Sequence, residues 1–152
     1  MTTIRGATDG AGLRVAVARA RYNRPVTDGL LEGALQALEA SGAGDVTVVE
    51  VPGAFDLPLV VQRTAESGQY DAIVAVGAVV EGETDHYEHV AHRATEGLME
   101  VMLATGIPIT FGILTVRDPS HAFARSASDD RNKGKEAAEA AVELANLLRQ
   151  LG

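Results

Sequence analysis

Short apolar runs and amphipathic stretches alternate along the chain, and their lengths name each element in turn. Leu13–Ala18 (LRVAVA) has strand length. Pro25–Ala40 follows, with apolar residues at Val26, Leu30, Leu31, Ala34, Leu35 and Leu38, the spacing of one helix face. Pro25 suits a first helical turn, and Ser41-Gly42 suits a helix end. Asp45–Val51 (DVTVVEV) predicts a second strand and Phe55–Ser67 a second helix. Asp71–Val80 (DAIVAVGAVV) is apolar nearly throughout, as a central strand buried on both faces should be. His86–Ala104 predicts a third helix and Pro108–Val116 (PITFGILTV) a fourth strand. Ser120–Arg125 predicts a short helical turn, and Asn132–Leu151 a long, alanine-rich last helix.

Strands that alternate with helices of this length predict an α/β fold with a parallel sheet. The expected architecture is a single-domain three-layer αβα sandwich over residues 1–152: a flavodoxin-like four-stranded parallel sheet with helices on both faces. No repeat, low-complexity tract or linker interrupts it. Residues 1–12 read as extended and poorly tied down, free to pair with a neighbouring subunit's sheet. In open α/β sheets ligands bind beyond the carboxyl ends of the strands. That rule directs attention to Arg19–Asn23, Pro52–Asp56, Gly77–His86 and Phe111–Thr115.

Composition narrows the chemistry. The 152 residues carry a formal net charge of -8, which repels nucleic acid and anionic membranes and makes neither an expected partner. With no cysteine, disulfides, thiolate metal sites and a Cys nucleophile are unavailable. Met1–Gly12 has no apolar h-region and no run is long enough to span a bilayer, so a cytoplasmic location is expected. An acidic protein that binds phosphate would need a local device for it.

Such a device is present at Gly77–Val90, a buried strand followed by a glycine-bearing turn and a helix start. Unpaired backbone N–H groups at a helix start bind anions without cationic side chains, and Thr84 adds a hydroxyl. The plainer reading is that Thr84 or Asp85 caps the helix and Gly82 turns the chain. His86, in the first helical turn, is a candidate proton carrier near neutral pH, or a surface histidine. His89 and His92 drift around the helix without a completing carboxylate set, so no metal site is expected. In Val51–Pro58 the backbone of Gly53 and Ala54 and the carboxylate of Asp56 suit a polyol, or Asp56 caps the turn. Tyr22 and Phe111 are candidates to stack on a flat heterocycle, with core or interface roles as the alternative. Arg125 and Lys133 flank a polar loop, and a guanidinium is a natural fork for a phosphate dianion. Arg131 and Lys135 read as solvated.

Together these segments resemble lumazine synthase across essentially the whole chain. The matching pieces, in order, begin with Arg21-Tyr22-Asn23, Val51–Pro58 and Tyr70–Ile73 running into Gly77–Val80. Gly82–Tyr87, Gly106–Thr115 and Asn132-Lys133-Gly134 complete them. The resemblance implies condensation of 5-amino-6-(D-ribitylamino)uracil with 3,4-dihydroxy-2-butanone 4-phosphate, with no cofactor. It implies that Tyr22 stacks on the pyrimidine, that Ala54, Phe55 and Asp56 hold the ribityl chain, and that the backbone of Ala78, Val79 and Val80 reads the pyrimidine edge. Glu83 and Thr84 match the phosphate donors, Arg125 their cationic partner, Lys133 an accessory group, and His86 the proton shuttle. Phe111 matches an aromatic given to the adjacent subunit's site. The family forms pentamers, and some members pack twelve of them into an icosahedral shell. Riboflavin synthase is a candidate partner.

This chain departs from the family pattern at four places. Asp56 stands where Glu is usual, Glu81 where Arg is common, and Tyr22 where Phe or Trp is frequent. Ser128-Asp129-Asp130-Arg131 replaces a loop containing Lys and Gly with an acidic one. Two rival readings remain: a flavin- or nucleotide-binding module, and a shell-forming paralogue without the chemistry.

Overall fold

The computed structural model describes residues Met1–Gly152. Four strands, β1 (Arg14–Ala20), β2 (Asp45–Val51), β3 (Ala72–Val80) and β4 (Ile109–Val116), form one parallel sheet in the order β2-β1-β3-β4. The helices are α1 (Arg24–Ser41), α2 (Leu57–Glu66), α3 (His86–Thr105), α4 (Pro119–Ala124) and α5 (Lys133–Leu151).

Alternation along β1 and β3 divides the core in two. Val15 and Val17 join Val74 and Val76 beneath α1, α4 and α5, while Ala16 and Ala18 join Ile73 and Ala75 beneath α2 and α3. These are the expected three layers. The expected second helix differs in its first turn: Ala54–Asp56 is a separate 3-10 turn, and α2 begins at Leu57. Asp56 is the reason, because its carboxylate accepts the Gly53 N–H at 2.9 Å and closes the turn on itself.

Residues 1–10 carry no helix or strand and Ala11-Gly12 form a turn, and the expectation that this segment is poorly tied down is incorrect. The side-chain amide of Asn146 donates to the carbonyls of Ala7 and Asp9 at 2.8 and 2.9 Å, and Gln150 donates to Arg5 at 2.8 Å. Gly6 lies so close to α5 that a β-carbon there would stand 1.9 Å from the Glu143 carbonyl oxygen. The strap is held by its own last helix.

The strand order sets the position of the site. The chain runs from β1 outward to β2, then crosses back to β3 on the other side of β1. The switch point, beyond which open α/β sheets form their ligand crevice, therefore lies between β1 and β3. Pairing of β1 with β3 stops at Arg19↔Val76, whereas β3 stays paired with β4 through Val80↔Val116. Gly77–Val80 thus presents one backbone edge that β1 does not cover.

Candidate active site

Three connections converge on that open edge. The first leaves β1 through Arg21-Tyr22-Asn23. Arg21 N–H donates to the carbonyls of Val51 and Pro52 at 2.9 and 3.0 Å, and Tyr22 N–H to Pro52 at 2.9 Å, binding this connection to the end of β2. Asn23 adopts a left-handed conformation (φ 64°), which Asn tolerates better than most residues, and its side chain donates to the Ala78 carbonyl at 2.9 Å. Tyr22 is left exposed, with its ring against Gly53. A β-carbon on Gly53 would come within 2.7 Å of that ring. The missing side chain at Gly53 lets the ring lie against the turn.

The second connection is the Gly53–Asp56 turn. Ala54 is buried against Gly77 and Ala20, while Phe55 is exposed. One oxygen of Asp56 is used on the Gly53 N–H, so capping of the turn is the bond the geometry displays, and the second oxygen stays available to a ligand. The third connection, Glu81–Asp85, leads into α3. Asp85 makes no side-chain cap; the Thr84 hydroxyl oxygen instead accepts the His86 N–H at 3.3 Å. That hydroxyl keeps its own proton for a ligand. A β-carbon on Gly82 would meet nothing within 4 Å, so the turn stands open. The His86 side chain is exposed without a hydrogen-bond partner, and His89 pairs with Asp85 at 3.3 Å.

The connections around this crevice carry Tyr22, Ala54, Phe55, Asp56, Ala78, Val79, Val80, Glu83, Thr84 and His86. Successive residues of β3 face opposite edges, and the Glu81 N–H donates to Val116 at 2.9 Å, so Val79 turns its backbone toward β4. Of the two residues that face the open edge, Ala78 has its carbonyl engaged by Asn23, which leaves Val80 the freer. Phe111, Arg125 and Lys133 are not brought to it. Phe111 pairs with Ala75, below the crevice, on the edge strand β4. Arg125 and Lys133 line a depression of about 530 Å³ along the carboxyl half of β4 and α5, with Ile113–Val116, Asp130, Arg131 and Glu136. Arg125 donates to the His121 carbonyl at 3.0 Å, and Lys133 pairs with Glu136 at 2.9 Å. Within one chain the predicted residues form two groups, on either side of β3.

The acidic departures are absorbed locally. Glu81 meets Arg117, from the loop after β4, at 3.2 Å. Asp130 pairs with Lys135 at 2.7 Å, and the hydrogen bond and charge of that lysine hold its carboxyl below the usual range. One Asp129 oxygen accepts the Arg131 N–H at 2.8 Å. Asn132, almost fully buried, binds this loop to α1. Its amide donates to the carbonyls of Gly29, Ser126 and Ala127 at 3.0, 3.2 and 3.0 Å, and its oxygen caps α5 at the Lys135 N–H. This buried anchor was legible in the sequence only as part of Asn132-Lys133-Gly134.

A family model described as 6,7-dimethyl-8-ribityllumazine synthase matches residues 12–149. A protein of that name from Thermococcus gammatolerans is 48% identical over 149 residues, covering 98% of this chain and 96% of its own. Its namesake from Thermococcus kodakarensis is 46% identical over 148 residues, covering 97% and 94%. The one from Kineococcus radiotolerans is 49% identical over 143 residues, covering 93% and 88%.

Proposed function

The chain belongs to the 6,7-dimethyl-8-ribityllumazine synthase family, and on that premise we propose that it makes 6,7-dimethyl-8-ribityllumazine in riboflavin biosynthesis, as a transferase joining 5-amino-6-(D-ribitylamino)uracil to 3,4-dihydroxy-2-butanone 4-phosphate. The observation that carries the reading at this site is the uncovered edge of Gly77–Val80, flanked by Tyr22 and the Gly53–Asp56 turn. The pyrimidine stacks on Tyr22 and meets the backbone of Val80. The ribityl chain lies along Ala54, Phe55 and the free oxygen of Asp56. The ketone phosphate takes the N–H groups of the Glu83-Thr84 turn and the Thr84 hydroxyl.

The pyrimidine amine attacks the ketone and water leaves as the imine forms. Elimination then expels phosphate, and the ribitylamino nitrogen closes the second ring with loss of a second water. Every step is addition, elimination or proton transfer. Holding two reactants in register is the main contribution asked of the protein. His86, one helical turn from the anion site, carries protons in imine formation and elimination.

The guanidinium of Arg125 and the ring of Phe111 belong to the same chemistry but lie across β3 from the crevice. We therefore assign them, with Lys133 as accessory, to the site of an adjacent subunit. This makes the protein a homo-oligomer, read as a pentamer, with an icosahedral shell of pentamers and an association with riboflavin synthase as further expectations. A cytoplasmic location accords with a cysteine-free chain.

Steady-state assay of His86→Ala tests the reading. Turnover should fall by about 10²-fold, within the range for a positioned acid–base group, with the pyrimidine KM unchanged. Wild-type rates in that variant would remove His86 from the mechanism. No lumazine formation by the parent protein would favour the inactive shell-forming reading, and tight flavin without turnover the flavin-binding one.

A further inference from the structure

The distribution of charge along the outer edge of β4 points to a residue that the family resemblance does not assign. Of the 13 Lys and Arg side chains, all but Arg5, Arg63, Arg125 and Arg131 have a carboxylate oxygen within 4.0 Å. On a chain of net charge -8 an unpaired guanidinium is the exception, yet two of the four line one depression. The carboxylates of that depression are both engaged: Glu136 by Lys133 at 2.9 Å, and Asp130 by Lys135 at 2.7 Å. Neither Arg125 nor Arg131 has a carboxylate oxygen within 4.0 Å.

The loop that carries them is fixed. Lys133 N–H donates to the Arg125 carbonyl at 2.8 Å, which closes the loop at its base. Buried Asn132 holds the Ser126 and Ala127 carbonyls, and Asp129 holds the Arg131 backbone N–H. Two guanidiniums without a carboxylate partner, one of which spends a single N–H on the His121 carbonyl, are thereby kept at one concavity, an arrangement suited to the several oxygens of a dianion.

We propose that Arg131 is a second guanidinium for the phosphate of the four-carbon ketone, acting beside Arg125 and determining the preference for a phosphorylated substrate. The proposal rests on the reading of Arg125 as the phosphate's cationic partner. It also explains how an acidic loop serves an anion: its aspartates are used on Lys135 and on the loop backbone, and its arginine faces the depression.

The test compares Arg131→Gln, Arg125→Gln and Arg63→Gln in the assembled protein. Arg63 is unpaired but lies on α2, beside a different depression, so its variant removes the same charge away from the site. Arg131→Gln should raise the ketone KM about five- to tenfold, as for a charged hydrogen bond in a partly exposed setting, and leave the pyrimidine KM unchanged. Inorganic phosphate, used as a competitive inhibitor, should lose affinity by a similar factor. Arg63→Gln should change neither value, and Arg131→Lys should recover part of the loss.

Equal effects from Arg131→Gln and Arg63→Gln would reduce the result to the long-range field and overturn the proposal. So would a pyrimidine KM that rises in step, which would mean that the loop had moved. A wild-type ketone KM in Arg131→Gln, with a raised one in Arg125→Gln, would overturn this proposal alone. Wild-type values in both would remove the phosphate role of Arg125 as well.

Discussion

Arg19 is the one charged side chain that the fold buries, at 3% exposure, on the β1 face where Leu13, Val15 and Val17 precede it. Its guanidinium reaches Asp28 on α1 and stands 3.9 Å from Glu50 on β2, while its Nε finds no partner. Burying a guanidinium costs several kcal/mol of hydration, and one orphaned donor adds to that. Both carboxylates remain in water, at 58% and 41% exposure, so removing the arginine strands no buried charge. Arg19→Met should therefore leave unfolding free energy within about 1 kcal/mol of the parent or raise it. A loss of about 3 kcal/mol in urea titration would show that the ion pairs outweigh desolvation. At this scale the sequence was half legible. Tyr22, Thr84 and His86 could be named because they stand in ordered motifs, and they lie on the connections that follow the carboxyl ends of β1 and β3. The capping of its turn by Asp56 was one of two readings of Val51–Pro58, and the Gly53 N–H selects it; that Arg19 is swallowed by the sheet depends on a side-chain path that no residue pattern encodes.

Elements were far more legible, because their signals are local. The ends of β2 and α3 follow from Val51-Pro52 and Gly106, and the apolar run of β3 admits only a central strand. What the pattern omits is how closely elements approach. α1 meets α5 and the loop before it through glycines: a β-carbon on Gly134 of α5 would stand 1.9 Å from the Leu30 carbonyl oxygen, and one on Gly29 of α1 would stand 2.3 Å from that of Ser126 in the loop. Gly134→Ala sets two effects against each other. Alanine favours a helix over glycine by about 1 kcal/mol, but forcing a methyl against a packed backbone costs about 3 kcal/mol or more. The clash should win, so the variant should lose about 2 kcal/mol at fixed protein concentration. Asn132, which ties the 125–133 loop to Gly29, would move with α5, so the ketone KM should rise too. A variant as stable as the parent would mean that the two helices slide apart freely.

Strand order is a property of the whole molecule, and it decides which predicted residues can meet. Reading along the chain places Thr84, His86 and Arg125 near carboxyl ends of strands but does not say on which side of β3 each lies. With the order β2-β1-β3-β4, the crevice group opens between β1 and β3, and Arg125 and Phe111 belong to the outermost strand and its flank. The head-to-tail ring proposed above would resolve this, because each protomer would then offer its crevice to one neighbour's β4 edge and its own β4 edge to the other. The arrangement has a quantitative consequence. His86→Ala damages only the crevice half and Arg125→Ala only the edge half, so co-assembled rings regain intact sites wherever an Arg125→Ala crevice meets a His86→Ala edge. Random mixing at equal amounts makes that combination at about one quarter of the sites, so activity should return to about a quarter of the parent's, after both pure variants have lost most of theirs. Dissociating and reassembling the variants together, with each treated alone as control, reads this out directly. If the mixture is no more active than the average of its components, the two halves serve the same protomer, and the ring is not what completes the site.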